Sequence, residues 1–84
     1  MSEEELIKRG TDAEFLLTNE MFRQTVQRLL DTNVHMFFNS DPQDEDVRSV
    51  AYHTSRSLTE IINTLQQEVQ TKAQIIENKE NDNE

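Results

Sequence analysis

A stripe of apolar residues at helical spacing runs through the second half of the chain. Its members are three or four residues apart, the spacing that places side chains on one face of an α-helix. No glycine or proline lies between residues 43 and 77, so one long helix is expected there. Other apolar surface has to cover such a stripe, which predicts an all-α protein with packed helices. The stripe comprises Val47, Ala51, Thr54, Leu58, Ile61, Ile62, Leu65, Val69, Ala73 and Ile76.

A shorter amphipathic segment precedes this stretch. Between residues 20 and 38 the apolar side chains fall on one wide arc, which predicts another long helix. Pro42, with Ser40 and Asp41 ahead of it, is typical of a helix start, so the C-terminal helix is expected to begin near residue 42 or 43. We therefore predict an antiparallel helical hairpin over residues 19–77 that assembles into a helical bundle.

The two ends of the chain carry different signals. Ser2 and Glu5 have the spacing of a capping box, and Gly10 follows two basic residues, as a glycine often does after the last turn of a helix. Residues 1–18 are therefore predicted to form a short N-terminal helical segment with a stop at Gly10. Residues 78–84 are rich in asparagine and acidic side chains and are predicted to be a disordered acidic tail.

The composition limits what the chain can do. With 84 residues and 33% apolar side chains, one copy has a small core, and oligomerisation is the expected reinforcement. The formal charge of −9 repels nucleic-acid phosphates and anionic lipid headgroups, so direct binding to nucleic acid or to a membrane is not expected. The chain has no cysteine and no recognisable signal peptide or spanning segment, which favours an intracellular location.

The two long helices are predicted to differ in length. At about 1.5 Å per residue the C-terminal helix is roughly 50 Å long and its predecessor roughly 30 Å, so part of the stripe needs another cover. That cover is either the N-terminal apolar set, from Leu6 and Ile7 to Phe15, Leu16 and Leu17, or a second copy of the chain. The predicted interaction residues are Leu58, Ile61, Ile62, Leu65 and Val69 of the stripe, with Phe38 and Met21, which fall off the main arc.

Arg48, Tyr52 and Arg56 are spaced four residues apart beside the stripe. In an acidic chain they are the best candidates for contacting an anion or a carboxylate of a partner. The favoured alternative is a row of exposed ion pairs, since Asp44 precedes Arg48 by four residues and Glu60 follows Arg56 by four.

No set of residues predicts an enzyme, a cofactor or a metal site. His35 and His53 are the only histidines, and they lack partners at metal-ligand spacing. A single glycine leaves no phosphate-binding loop, and no nucleophile elbow is present. Asn33 lies on the apolar arc of the first long helix, where a hydrogen-bonded amide in a wet interface is favoured over a device that fixes helix register.

One stretch resembles a known group of proteins. Residues 13–22, with the sequence AEFLLTNEMF, are followed by a helix, an acidic turn with Asp44 and Arg48, and then Leu58, Ile61 and Leu65. This order resembles small helical-hairpin proteins of tailed bacteriophages, although members often have proline at the position of Glu20. The resemblance implies a viral origin, a role in virion assembly or host takeover, and a location in the host cytoplasm or the virion. It supplies no catalytic residue.

The sequence thus predicts a non-enzymatic helical interaction module that acts as a homo-oligomer, with itself or another protein as partner. One alternative is an acidic inhibitor that mimics nucleic acid and blocks a host enzyme. Another is an oligomer that binds a small phosphorylated ligand through Arg48, Tyr52 and Arg56.

Overall fold

Three helices make up the part of the chain that the computed structural model describes, residues 1–82. They are α1 (Glu3–Thr18), α2 (Glu20–Asn39) and α3 (Glu45–Asp82), and residues 1–82 contain no β-strand. The all-α prediction is confirmed. The molecule is a rod of 62 × 23 × 19 Å, and its radius of gyration of 17.9 Å exceeds the value of about 12 Å for a compact domain of this length.

Helix α1 begins where the sequence predicts but does not stop at Gly10. Ser2 is the N-cap, and its Oγ accepts a hydrogen bond of 3.2 Å from the Glu5 N–H. The helix then continues through Gly10 to Thr18, so the predicted helix stop at Gly10 is wrong. Gly10 instead lies against α3, where an added Cβ would touch the Lys72 Cβ and approach the Glu68 carbonyl oxygen to 2.9 Å. The glycine allows close contact between two helices.

A single residue, Asn19, separates α1 from α2. Its backbone N–H donates to the Leu16 carbonyl at 3.1 Å, which closes α1, and its Oδ1 accepts from the Phe22 N–H at 2.8 Å, which caps α2. Its backbone is extended, with φ −72° and ψ 117°. The chain therefore changes direction at Asn19 without a loop.

Residues 40–44 connect α2 to α3. The Ser40 Oγ donates to the Phe37 carbonyl at 2.7 Å at the end of α2. The Asp44 Oδ1 accepts from the Val47 N–H at 3.2 Å, as an N-cap side chain does, so α3 begins at Glu45, two or three residues later than the sequence predicts. The predicted boundary around Pro42 is otherwise in place.

Helix α3 continues to Asp82, whereas the sequence predicts a helix ending near residue 77 and a disordered tail over 78–84. The first turn of α1 lies beside this extension, and the Lys79 Nζ and a Glu3 carboxylate oxygen are 3.2 Å apart. Helix α1 therefore lies beside α3 beyond residue 77. The last two residues of the predicted tail, 83 and 84, lie outside the described residues.

Both α1 and α2 pack on α3, and they contact each other far less than either contacts α3. Glu3 lies beside Lys79 at one end of the rod, and Phe37 lies beside Arg48 at the other. The start of α1 is thus next to the end of α3, and the end of α2 is next to the start of α3. Helix α1 covers the half of the stripe that α2 does not reach. The part of α3 that extends past α2 is therefore covered within the same chain.

The line of contact between α3 and the other two helices is here called the seam. Its small members Gly10, Ala13 and Ala51 are buried, but no large side chain in residues 1–82 is fully buried. The half-buried members include Leu6, Ile7 and Leu17 of α1, Phe22, Val26, Leu30, Asn33 and Phe37 of α2, and Val47, Ser55, Leu58, Ile62, Leu65, Val69, Lys72 and Ile75 of α3.

Candidate interaction surfaces

The residues predicted for interaction divide between the seam and the surface. Four residues of the α3 stripe are half-buried in the seam, where α1 and α2 pack on α3. They are Leu58, Ile62, Leu65 and Val69. The other three predicted residues are exposed. They are Ile61, Met21 and Phe38, of which Phe38 has 77% of its surface in solvent.

Two cavities identify which residues share one side of the rod. The first, of about 260 Å³, is lined in part by Val34 and Phe38 of α2 and Tyr52 of α3. The second, of about 430 Å³, is lined in part by Gln27 of α2 and by Thr59 and Gln66 of α3. Each of these residues directly follows a seam residue in the sequence. We call this side, with Gln27, Val34, Phe38, Tyr52, Thr59 and Gln66, the cavity face.

The residues that directly precede seam residues lie on the other side of the rod. Adjacent residues of a helix are about 100° apart, so the positions before and after a seam residue flank it on opposite sides. This second side has no charged side chain along α2 from residue 21 to 36 or along α3 from residue 50 to 64. We call it the uncharged face; it comprises Met21, Thr25, Leu29, Thr32 and Met36 of α2 with Val50, Thr54, Ser57, Ile61 and Thr64 of α3.

Apolar side chains on the uncharged face are open to solvent. Val50 is 61% exposed, Ile61 48%, Leu29 45% and Met36 42%. Sequence reasoning found Ile61 and Met21 but missed Leu29, Met36 and Val50. The signal that could have found them is the second row of uncharged residues at three- and four-residue spacing, one position before the seam.

Charged groups border the uncharged face at both ends. Beyond Thr64 the next position of the row is Glu68, whose Oε1 lies 2.7 Å from the Arg9 Nη2 of α1. At the other end, the acidic residues Asp44, Glu45 and Asp46 precede Val50. A centre without charged residues and a charged border are usual in protein–protein interfaces.

Arg48, Tyr52 and Arg56 have different neighbours in the structure. The Arg48 guanidinium carbon lies 4.3 Å from the centre of the Phe37 ring, and its Nη1 donates to the Ser40 Oγ at 3.4 Å. Arg48 therefore holds the start of α3 against the end of α2. The Tyr52 ring meets the His53 ring edge-on, with centroids 5.3 Å apart.

Arg56 is exposed on α3 and lines a shallow depression with Thr59, Glu60 and Asn63. Within residues 1–82 neither Arg48 nor Arg56 forms an ion pair, so the expected pairs with Asp44 and Glu60 are absent there. The ion pairs that do form join α1 to α3 or lie within α1. One of them, Lys8 with Asp12 at 2.8 Å, raises the pKa of the Lys8 ammonium through the hydrogen bond and charge of Asp12.

Residues 1–82 contain no group of three or more His, Asp or Glu side chains placed to hold a metal ion. The His35 Nδ1 lies 3.1 Å from the Asn39 Nδ2 on the same helix. Asn33, half-buried in the seam, donates from Nδ2 to the Leu29 carbonyl at 2.8 Å, so its amide bonds to its own helix. In the same part of the chain, no helix has the length and apolar content needed to cross a membrane.

Comparison with protein-family models, with curated proteins and with solved structures gave no match. The likeness to phage helical-hairpin proteins is therefore a prediction from the sequence alone.

Proposed function

We propose that the chain is a non-enzymatic protein-interaction module that acts as a homo-oligomer. In this proposal it is an antiparallel helical hairpin, with α1 and α2 forming one arm and α3 the other, and copies of the hairpin assemble into a helical bundle. The contacts of Glu3 with Lys79 and of Phe37 with Arg48, at opposite ends of the rod, support the antiparallel arrangement.

The observation that carries the proposal is the accessible surface of the single chain. It measures 6645 Å². A compact monomer of 9.9 kDa would expose about 5,200 Å², so one copy exposes about 1,400 Å² more than that value. Each partner in a standard interface buries about 800 Å². The excess area is therefore large enough for one such interface.

The size of the particle in solution tests the proposal. Sedimentation equilibrium over a range of protein concentrations should give a particle mass of two or more times the 9.9 kDa of one chain. The mass should stay above that of the chain when salt is raised, because association through uncharged groups is little affected by screening. A stable particle of single-chain mass at every concentration would refute the homo-oligomer.

The phage role, in virion assembly or as an accessory protein in the host cytoplasm, rests on the resemblance of residues 13–69 to phage hairpin proteins. Its test is mass spectrometry of purified virions and of infected cells, which should detect the protein in one or both.

The two alternative functions have less support. Binding of a phosphorylated ligand needs Arg48 and Arg56 to act together, and Arg48 is engaged with Phe37 and Ser40. Mimicry of nucleic acid would appear as competition with DNA for an enzyme, and this competition would weaken steeply as salt is added.

A further inference from the structure

We propose that the uncharged face is the dimer interface and that its occupant is the same face of a second copy. This inference rests on the proposed homo-oligomer and adds the surface by which it forms. Each copy would contribute its row from α2 and its row from α3, so that four helices enclose the contact. A pairing in which both copies use one surface is the usual arrangement of homodimers.

The chemistry of the face favours a second copy. The chain as a whole carries a formal charge of −9, so two copies repel each other wherever their charged surfaces meet. The uncharged face is a surface on which two copies can meet without placing like charges in contact. The rows on α2 and α3 are also matched in length, since residues 21–36 and residues 50–64 each span about 20 Å of helix.

The cavity face is a poorer site for this contact. Arg23 and Asp31 of α2 and Arg56 of α3 also directly follow seam residues and so lie on this side, where a symmetric pairing would bury their charges. Removing charged groups from water is costly even when they form a pair. On the uncharged face the hydroxyls of Thr25 and Thr32 donate to the Met21 and Arg28 carbonyls at 2.8 and 2.9 Å, so these two hydroxyls keep a hydrogen bond when the face is covered.

A pair of glutamate substitutions on α3 tests the assignment. Ile61 on the uncharged face and Tyr52 on the cavity face are 48% and 49% exposed, so Ile61→Glu and Tyr52→Glu place the same charge at equally accessible sites of one helix. Val50→Glu provides a second variant on the uncharged face at 61% exposure, where it disturbs the fold of a single chain less than Ile61→Glu does. The dissociation constant of the dimer is measured by sedimentation equilibrium, with far-UV circular dichroism as the check on helix content.

The expected result is a rise of at least about 100-fold in the dissociation constant for Ile61→Glu and for Val50→Glu, or about 2.8 kcal/mol. The reason is that each dimer then buries two like charges. Tyr52→Glu should change the constant by less than about threefold, as an exposed substitution does.

Two results would overturn the assignment of the face but leave the homo-oligomer intact. In the first, Tyr52→Glu dissociates the dimer while Ile61→Glu and Val50→Glu remain dimeric. In the second, all three variants remain dimeric. A wild-type chain that is monomeric at every concentration would instead refute the proposed function itself. The experiment therefore separates failure of the interface from failure of the oligomer.

Discussion

Replacing Gly10 by alanine tests the packing of α1 on α3 at its tightest point. The added Cβ would touch the Lys72 Cβ, lie 2.9 Å from the Glu68 carbonyl oxygen and lie 3.1 Å from the Lys72 Cδ. The Lys72 Cδ can move away by a change of rotamer, but the carbonyl oxygen belongs to the backbone of α3. The two helices must therefore move apart to admit one methyl group.

The expected change in the free energy of unfolding is the sum of opposing contributions. Alanine is favoured over glycine within a helix by about 1 kcal/mol, which stabilises the variant. Forcing a methyl group into a closely packed contact costs about 1–3 kcal/mol. Separation of the helices also strains the ion pairs of Arg9 with Glu68 and of Glu14 with Lys72, which are partly exposed and contribute about 0–1 kcal/mol each. With the middle value of each range, the net expectation is a loss of about 2 kcal/mol of unfolding free energy.

Thermal unfolding followed by far-UV circular dichroism measures this loss. A change of 1 kcal/mol shifts the Tm of a domain of this size by about 4–8 °C. The matched control is Thr11→Ala, an exposed neighbour on α1 that gains helix propensity without a new contact. All samples need the same chain concentration, because the Tm of an oligomer depends on it. A Tm for Gly10→Ala equal to or above that of the wild type would refute the close contact of α1 with α3.

Three further substitutions test local features. Asn19→Ala removes the cap of α2 and should lower stability by about 1–2 kcal/mol in thermal unfolding, more than Ser2→Ala at the outer end of the rod; equal losses would contradict the role of Asn19 as a junction. Arg48→Ala should lower the Tm because its contact with the Phe37 ring is lost, whereas exposed Arg56→Ala should change stability by less than about 0.5 kcal/mol. Asn33→Leu should raise the Tm by several degrees, since it replaces a half-buried amide in the seam, and a change in particle mass would instead identify Asn33 as a register device.

The sequence predicts the helices well where the signals are local. Ser2 caps α1 as its capping-box spacing predicts, and its Oγ accepts a hydrogen bond from the N–H three residues later. At the start of α3 the local signal lies two or three residues early, because Ser40 and Asp41 ahead of Pro42 are the predicted caps and Asp44 is the cap in the structure. The absence of glycine and proline after residue 43 predicts the continuous α3. These features depend on neighbours within one or two turns of the chain.

Gly10 shows why other features could not be predicted. A glycine after two basic residues has the same local pattern whether it ends a helix or allows a second helix to approach. The difference lies in Glu68 and Lys72, about sixty positions further along the chain, and only the folded structure brings them to Gly10. The extension of α3 past residue 77 has a similar origin in the distant contact with Glu3.

The candidate surface was only partly predictable because it depends on the rotation of α3. Ile61 and Ile62 are adjacent and chemically identical, so apolar periodicity assigns both to one stripe. In the structure Ile62 faces the seam and Ile61 is on the uncharged face, because the packing of α1 and α2 determines which side of α3 is covered. An outward row such as that of Val50 and Ile61 becomes recognisable once the seam is known.

The break at Asn19 determines where the remaining apolar surface lies. The last half-buried residue of α1 is Leu17, and the first of α2 is Phe22, five residues later. In an unbroken helix five residues correspond to a rotation of about 140°, which would turn Phe22 away from α3. The break at Asn19 turns Phe22 back toward α3. Helices α1 and α2, of 16 and 20 residues, therefore cover the 38 residues of α3 almost from end to end. Because the seam is covered along its length, the exposed apolar surface flanks it, and the second copy of the proposed dimer therefore approaches the rod from the side.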